Sequence, residues 1–72
     1  MASFSDRLKE LRNEKKLTQK SLGEAIDLSW RSIQDYERGK QQPTSGVLSG
    51  MSDYFNVSTD YLLGRTDDPK RY

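Results

Sequence analysis

Seventy-two residues make one small domain, and with hydrophobic residues at 32% there is little apolar surface to hold it together. With neither Cys nor His the chain lacks the commonest general base, a common nucleophile and most zinc ligands, so no catalytic, cofactor or metal residues are assigned and an enzyme is not expected. A formal net charge of +1 does not announce a nucleic-acid partner, and no apolar run approaches the roughly 18 residues of a membrane span. The opening residues lack the charged and apolar regions of a secretion signal, which fits a cytoplasmic setting.

The elements follow in chain order. Ser3 or Ser5 caps a first helix, in which Phe4, Leu8 and Leu11 fall at i, i+4 and i+7. This helix runs to about Lys15 or Lys16, whose positive charge suits the negative end of the helix dipole. Thr18 caps a second helix, with Leu17 stapled onto Leu22. Leu22, Ala25 and Ile26 give it an apolar face, and Gly23 marks the place where a second helix crosses closely. Asp27 breaks the pattern, because Asp tolerates left-handed backbone. Ser29 caps a third helix, with Leu28 stapled onto Ile33. Ile33 and Tyr36 carry its apolar face, and Gly39 supplies a left-handed C-cap.

Residues 18–39 therefore read as two short helices around a tight turn, and the rest of the chain is organised about them. Trp30, Arg31, Gln34 and Asp35 point outward from the later helix, with Ser32 beside them. A short helix with such a polar, hydrogen-bonding face suits the major groove of DNA.

Lys40 to Pro43 form a polar loop. Thr44 caps a fourth helix, roughly 44–55, with Val47, Leu48, Met51 and Phe55 as its apolar face. The glycines at 46 and 50 each cost about 0.5–1 kcal/mol relative to Ala, so tertiary packing must hold this helix. They form either a smooth strip for another helix or, the preferred reading, part of an exposed face. Asn56 is a left-handed C-cap. Val57 and Ser58 repeat the staple-and-cap pattern, with Val57 facing Leu62, and a fifth short helix runs to Leu63 and ends at Gly64. Residues 65–72 read as a polar tail or the start of a linker. The predicted fold is all-α, a compact bundle of five short helices forming one domain over residues 1–64.

In order and spacing, several segments resemble a known family. They are Leu8-Lys9-Glu10-Leu11-Arg12, Leu17-Thr18-Gln19, Ile33 with Tyr36-Glu37-Arg38-Gly39-Lys40, Pro43, and Val57-Ser58-Thr59-Asp60-Tyr61-Leu62-Leu63-Gly64. Over about residues 4–64 the chain is similar to the lambda-repressor/Cro type of helix-turn-helix domain, the XRE family. The resemblance implies that Gln19 binds a phosphate and braces the recognition helix. It places Trp30, Arg31 and Asp35 at base-reading positions with Gln34 nearby. Thr18, Gln19, Ser32, Lys40 and Gln41 fall at positions that hold the DNA backbone. Arg12 and Glu37 match a partly buried salt bridge that ties the first helix to the third. Within that frame Arg31 is expected to take a guanine bidentately, and Trp30 to meet a thymine methyl. Asp35 either accepts from a cytosine amino group or orients Arg31. The chain departs from the family at Asp27, where Gly is usual, and at Ser45 and Ser52, where Leu and Ala are frequent; the two serines are expected to weaken the fourth helix.

The function this implies is sequence-specific double-stranded DNA binding by a transcriptional repressor, with helix 3 (about 29–38) in the major groove. A homodimer on a palindromic operator is expected, with half-sites about one turn apart and dimer contacts from Val57, Tyr61, Leu62 or the tail. A C-terminal effector domain or a protein antagonist would fit the same plan. The alternative is a protein-interaction or antitoxin module on the same fold. Near-neutral charge, Trp30, Asp35 and the Gly46/Gly50 strip favour it, whereas Gln19, Arg31 and Lys40 argue against it.

Overall fold

Every helix is opened by a hydroxyl side chain and closed by a left-handed residue. The computed structural model describes residues 3–71 and contains α1 (Phe4–Glu14), α2 (Gln19–Ala25), α3 (Trp30–Glu37), α4 (Ser45–Phe55) and α5 (Thr59–Leu62), with no strand among the described residues. The side chains of Ser3, Thr18, Ser29, Thr44 and Ser58 each accept from the backbone N–H three residues on, satisfying one orphan donor per helix. At α1 the Asp6 carboxylate answers by accepting from the Ser3 N–H, which completes a capping box.

The helix ends are equally regular. Lys16, Asp27, Gly39, Asn56 and Gly64 all have φ between 57° and 76°. The next N–H then reaches back five residues: Leu17 to Arg12 at 3.1 Å, Leu28 to Gly23 at 2.7 Å, Lys40 to Asp35 at 2.9 Å, Val57 to Ser52 at 3.1 Å and Arg65 to Asp60 at 2.9 Å. Asp27, Gly39 and Asn56 take the left-handed conformation expected of them, and Gly64 takes it too where the last helix was expected to end. Lys16 was expected to lie in or end α1; it sits beyond the end at Glu14, in the left-handed turn itself.

The core draws one fully buried side chain from each helix: Leu8, Leu22, Ile33, Met51 and Leu62. Burying each is worth about 1.5–3 kcal/mol. Around them lie Phe4, Leu11, Tyr36, Phe55 and Val57, and Phe4 meets Tyr36 edge-on at 5.9 Å between ring centroids. α3 packs on both α1 and α2, while α5 packs on α1 and α4.

Three expectations are corrected. Ala25 is exposed, because the seven-residue α2 turns only Leu22 and Gly23 fully inward. Gly23 does mark a close approach, but to the turn: a Cβ there would lie 2.4 Å from the Leu28 carbonyl oxygen. Ser52 is buried and supports α4, donating from its Oγ to the Val57 carbonyl at 2.5 Å. Gly50 has nothing within 4 Å of where a Cβ would be, which agrees with an exposed face.

Residues 65–71 carry no helix and lie against the bundle. Arg7, only 7% exposed, donates to Asp67 Oδ1 at 2.5 Å and sits over the Tyr61 ring at 4.0 Å. The Ser58 N–H donates to the Pro69 carbonyl at 3.0 Å, and Arg71 reaches Asp53 at 2.6 Å.

Candidate nucleic-acid interface

α3 is set in place from behind. Its inward side buries Ile33, Tyr36 and Glu37. Glu37 receives Arg12 bidentately, Nε to Oε2 at 2.6 Å and Nη2 to Oε1 at 3.0 Å. Such a fork fixes orientation as well as distance. Arg12 Nη1 also donates to the Leu17 carbonyl at 2.8 Å, and Gln19 Nε2 donates to Glu37 Oε1 at 3.4 Å. One carboxylate therefore joins the end of α1, the start of α2 and the last turn of α3. Its hydrogen bonds raise the Arg12 pKa above the ordinary value, favouring the charged guanidinium.

The opposite side of α3 faces out. Trp30 is 47% exposed and is the one exposed large hydrophobic among the described residues. Arg31 is exposed, while Ser32, Gln34 and Asp35 are half-buried. The Arg31 guanidinium lies 5.8 Å from the centroid of the Trp30 ring. Asp35 does not pair with it: no carboxylate among the described residues lies within 4.0 Å of Arg31. The reading in which Asp35 orients Arg31 is thus set aside in this structure, because the guanidinium turns toward the indole.

The flanks are arranged as follows. The Thr18 hydroxyl caps α2, accepting from the Ser21 N–H at 2.9 Å. Ser32 Oγ shares a 3.0 Å hydrogen bond with Ser29 Oγ at the start of α3. Lys40 and Gln41 are exposed just beyond α3, and the Lys40 backbone is fixed by its bond to Asp35. Trp30, Arg31, Ser32, Gln34 and Asp35 share one helix; Gln19, next to Thr18, reaches its last turn at Glu37, and Lys40 and Gln41 follow that same end. The structure also reveals Arg7, which sequence reasoning passed over. A signal was present: Phe4, Arg7, Leu8 and Leu11 together complete an i, i+3, i+4, i+7 stripe.

Among the described residues no cluster of three or more acidic side chains could hold a metal ion, and no helix is long and apolar enough to cross a membrane.

The helix-turn-helix family profile matches residues 8–62. The HTH-type transcriptional regulator ImmR of Bacillus subtilis (strain 168) is 38% identical over 69 residues, covering 96% of this chain and 54% of its own length. The HTH-type transcriptional activator BcrR of Enterococcus faecalis is 38% identical over 60 residues, covering 83% of this chain and 29% of its own. Among solved structures, the P22 c2 repressor in complex with a synthetic operator superposes with a TM-score of 0.82 at 28% identity, covering 88% of this chain and 96% of that one. The chain spans about half the length of the first few relatives it matches.

Proposed function

The chain belongs to the XRE-type helix-turn-helix family and has the lambda-repressor-like fold, and from this we propose that it is the DNA-binding domain of a cytoplasmic transcriptional repressor. The observation that carries the reading is the outer face of α3: Trp30, Arg31, Gln34 and Asp35 turn away from a core that anchors the same helix through Ile33, Tyr36 and Glu37. In this reading α3 enters the major groove of double-stranded DNA. Trp30, Arg31, Gln34 and Asp35 meet base edges, and Thr18, Gln19, Ser32, Lys40 and Gln41 hold the backbone. A module this small covers few base pairs, so a homodimer binds a palindromic operator with half-sites about 34 Å apart. The superposition on a repressor in complex with a synthetic operator supports the binding of double-stranded DNA. An effector domain or a protein antagonist would act on that dimer.

Selection from a random duplex pool, followed by titration of the winning sequence at two salt concentrations, tests the proposal. A palindromic consensus with affinity falling steeply as salt rises is the expected result. Arg31→Ala then loses about 1–3 kcal/mol of discrimination at one base pair, while Lys40→Ala weakens all sequences alike and lowers the salt slope by about one. The exposure of Trp30 favours a second reading, a protein-interaction or antitoxin module. Folded protein that enriches no sequence, or binds DNA with no salt dependence, would decide for it.

A further inference from the structure

The exposed tryptophan opens α3, and a cation stands next to it. Trp30 leaves 47% of its surface in the open. Its indole and the Arg31 guanidinium lie 5.8 Å apart, and no carboxylate among the described residues holds the guanidinium elsewhere. The major groove offers each of them one kind of partner. Guanine presents N7 and O6, two acceptors that match the guanidinium fork, and the apolar group there is the C5 methyl of thymine. Base pairs stack about 3.4 Å apart, so groups separated by 5.8 Å lie within two steps of each other and can reach neighbouring pairs.

We infer that Trp30 and Arg31 form one composite reader of a two-base-pair step, a guanine next to a pyrimidine that carries a C5 methyl group. The inference rests on the reading of α3 as the DNA-facing helix and adds a chemical requirement to it. What Trp30 recognises is the methyl group rather than the base. Thymine and 5-methylcytosine both present it at the same ring position, whereas deoxyuridine and cytosine do not. Binding at this step therefore responds to cytosine methylation.

The test starts from the duplex selected above. Each thymine is replaced singly by deoxyuridine, and binding is measured for the wild-type protein and for Trp30→Ala. Trp30 is exposed, so the variant keeps its fold, as far-UV circular dichroism will verify. One thymine per half-site, next to the guanine at which Arg31→Ala relaxes discrimination, is expected to be methyl-sensitive. Losing its methyl weakens wild-type binding about fourfold, the worth of one buried methyl, and leaves Trp30→Ala unaffected. At the same position cytosine behaves like deoxyuridine, and 5-methylcytosine recovers most of the loss. Trp30 is the only tryptophan in the chain, so its emission reports the contact directly. The thymine duplex changes that emission more than the deoxyuridine duplex does. A selected duplex without any methyl-sensitive thymine, or one whose sensitivity survives Trp30→Ala, overturns the inference and leaves the proposed function standing. If the folded protein selects no duplex, the proposed function fails and takes this inference with it.

Discussion

Replacing Glu37 by Gln keeps the side chain's shape and removes its charge. The Glu37 side chain is 4% exposed and that of Arg12 16%, so the change leaves a largely buried guanidinium facing a neutral amide. Of the bonds at 2.6 and 3.0 Å only one keeps an acceptor, because the amide NH2 cannot accept from the guanidinium, and Gln19 loses a charged acceptor. Breaking a buried pair at one partner costs about 3–5 kcal/mol. Arg12 keeps some exposure and its bond to the Leu17 carbonyl, which places the cost near the lower end, about 3 kcal/mol. A domain of this length is stable by roughly 4–11 kcal/mol, so between a quarter and three quarters of the total is lost. At about 4–8 °C per kcal/mol, Tm falls by about 12–24 °C. Urea and thermal unfolding followed by far-UV circular dichroism measure both quantities. The double variant Arg12→Met with Glu37→Leu should recover most of the loss, because an apolar pair leaves no charge buried. A Glu37→Gln protein within about 0.5 kcal/mol of wild type would show that water replaces the carboxylate at no net cost, and the account of how α3 is oriented would have to be given up.

Four further substitutions test single positions. Gly23→Ala should destabilise by about 1–3 kcal/mol, since the new Cβ would sit 2.4 Å from the Leu28 carbonyl, while Gly50→Ala, with nothing within 4 Å, should stabilise by about 0.5–1 kcal/mol. Urea midpoints that moved in the same direction for both would contradict the packing described. Ser52→Ala should cost about 1–3 kcal/mol in equilibrium unfolding by removing the buried donor to Val57 O. Lys16→Gly should raise stability by up to about 1 kcal/mol, because Lys16 holds φ at 57°; a lower Tm would mean that its side chain has a role not seen here.

The helix starts were legible because each is written locally, as a Ser or Thr with an apolar residue just ahead of it at Leu17, Leu28 and Val57. The ends were legible where Gly, Asn or Asp marks them. Lys16 carries no such mark, since nothing in a lysine side chain favours left-handed backbone; the geometry of the turn imposes it. Ala25 was misplaced because α2 is barely two turns long, and three apolar positions do not fix which side of so short a helix faces inward. Arg7 escaped because a periodicity count scores a cation as polar, although its guanidinium is covered by Tyr61 and Asp67. The Arg12–Glu37 pair spans 25 residues, beyond the reach of any local rule, and was expected only from family resemblance. On the outer face of α3, the sequence offered Asp35, four residues on, as a group to orient Arg31, and coordinates were needed to show that the guanidinium lies beside the Trp30 ring instead.

That every helix carries both its start and its stop within a few neighbouring residues has a consequence for the order of assembly. Chains rich in such local contacts fold in microseconds to milliseconds, since little loop-closure entropy is spent before contacts form. Here the caps and left-handed turns can form while the chain is still open. The bond from Arg7 to Asp67 spans 60 residues, and a contact of that separation is expected to close after the helices have met. Opening is expected to run the other way, with residues 65–71 releasing first: native-state hydrogen exchange should find the Ser58 N–H, bonded to the Pro69 carbonyl, exchanging well before the buried turns of α3.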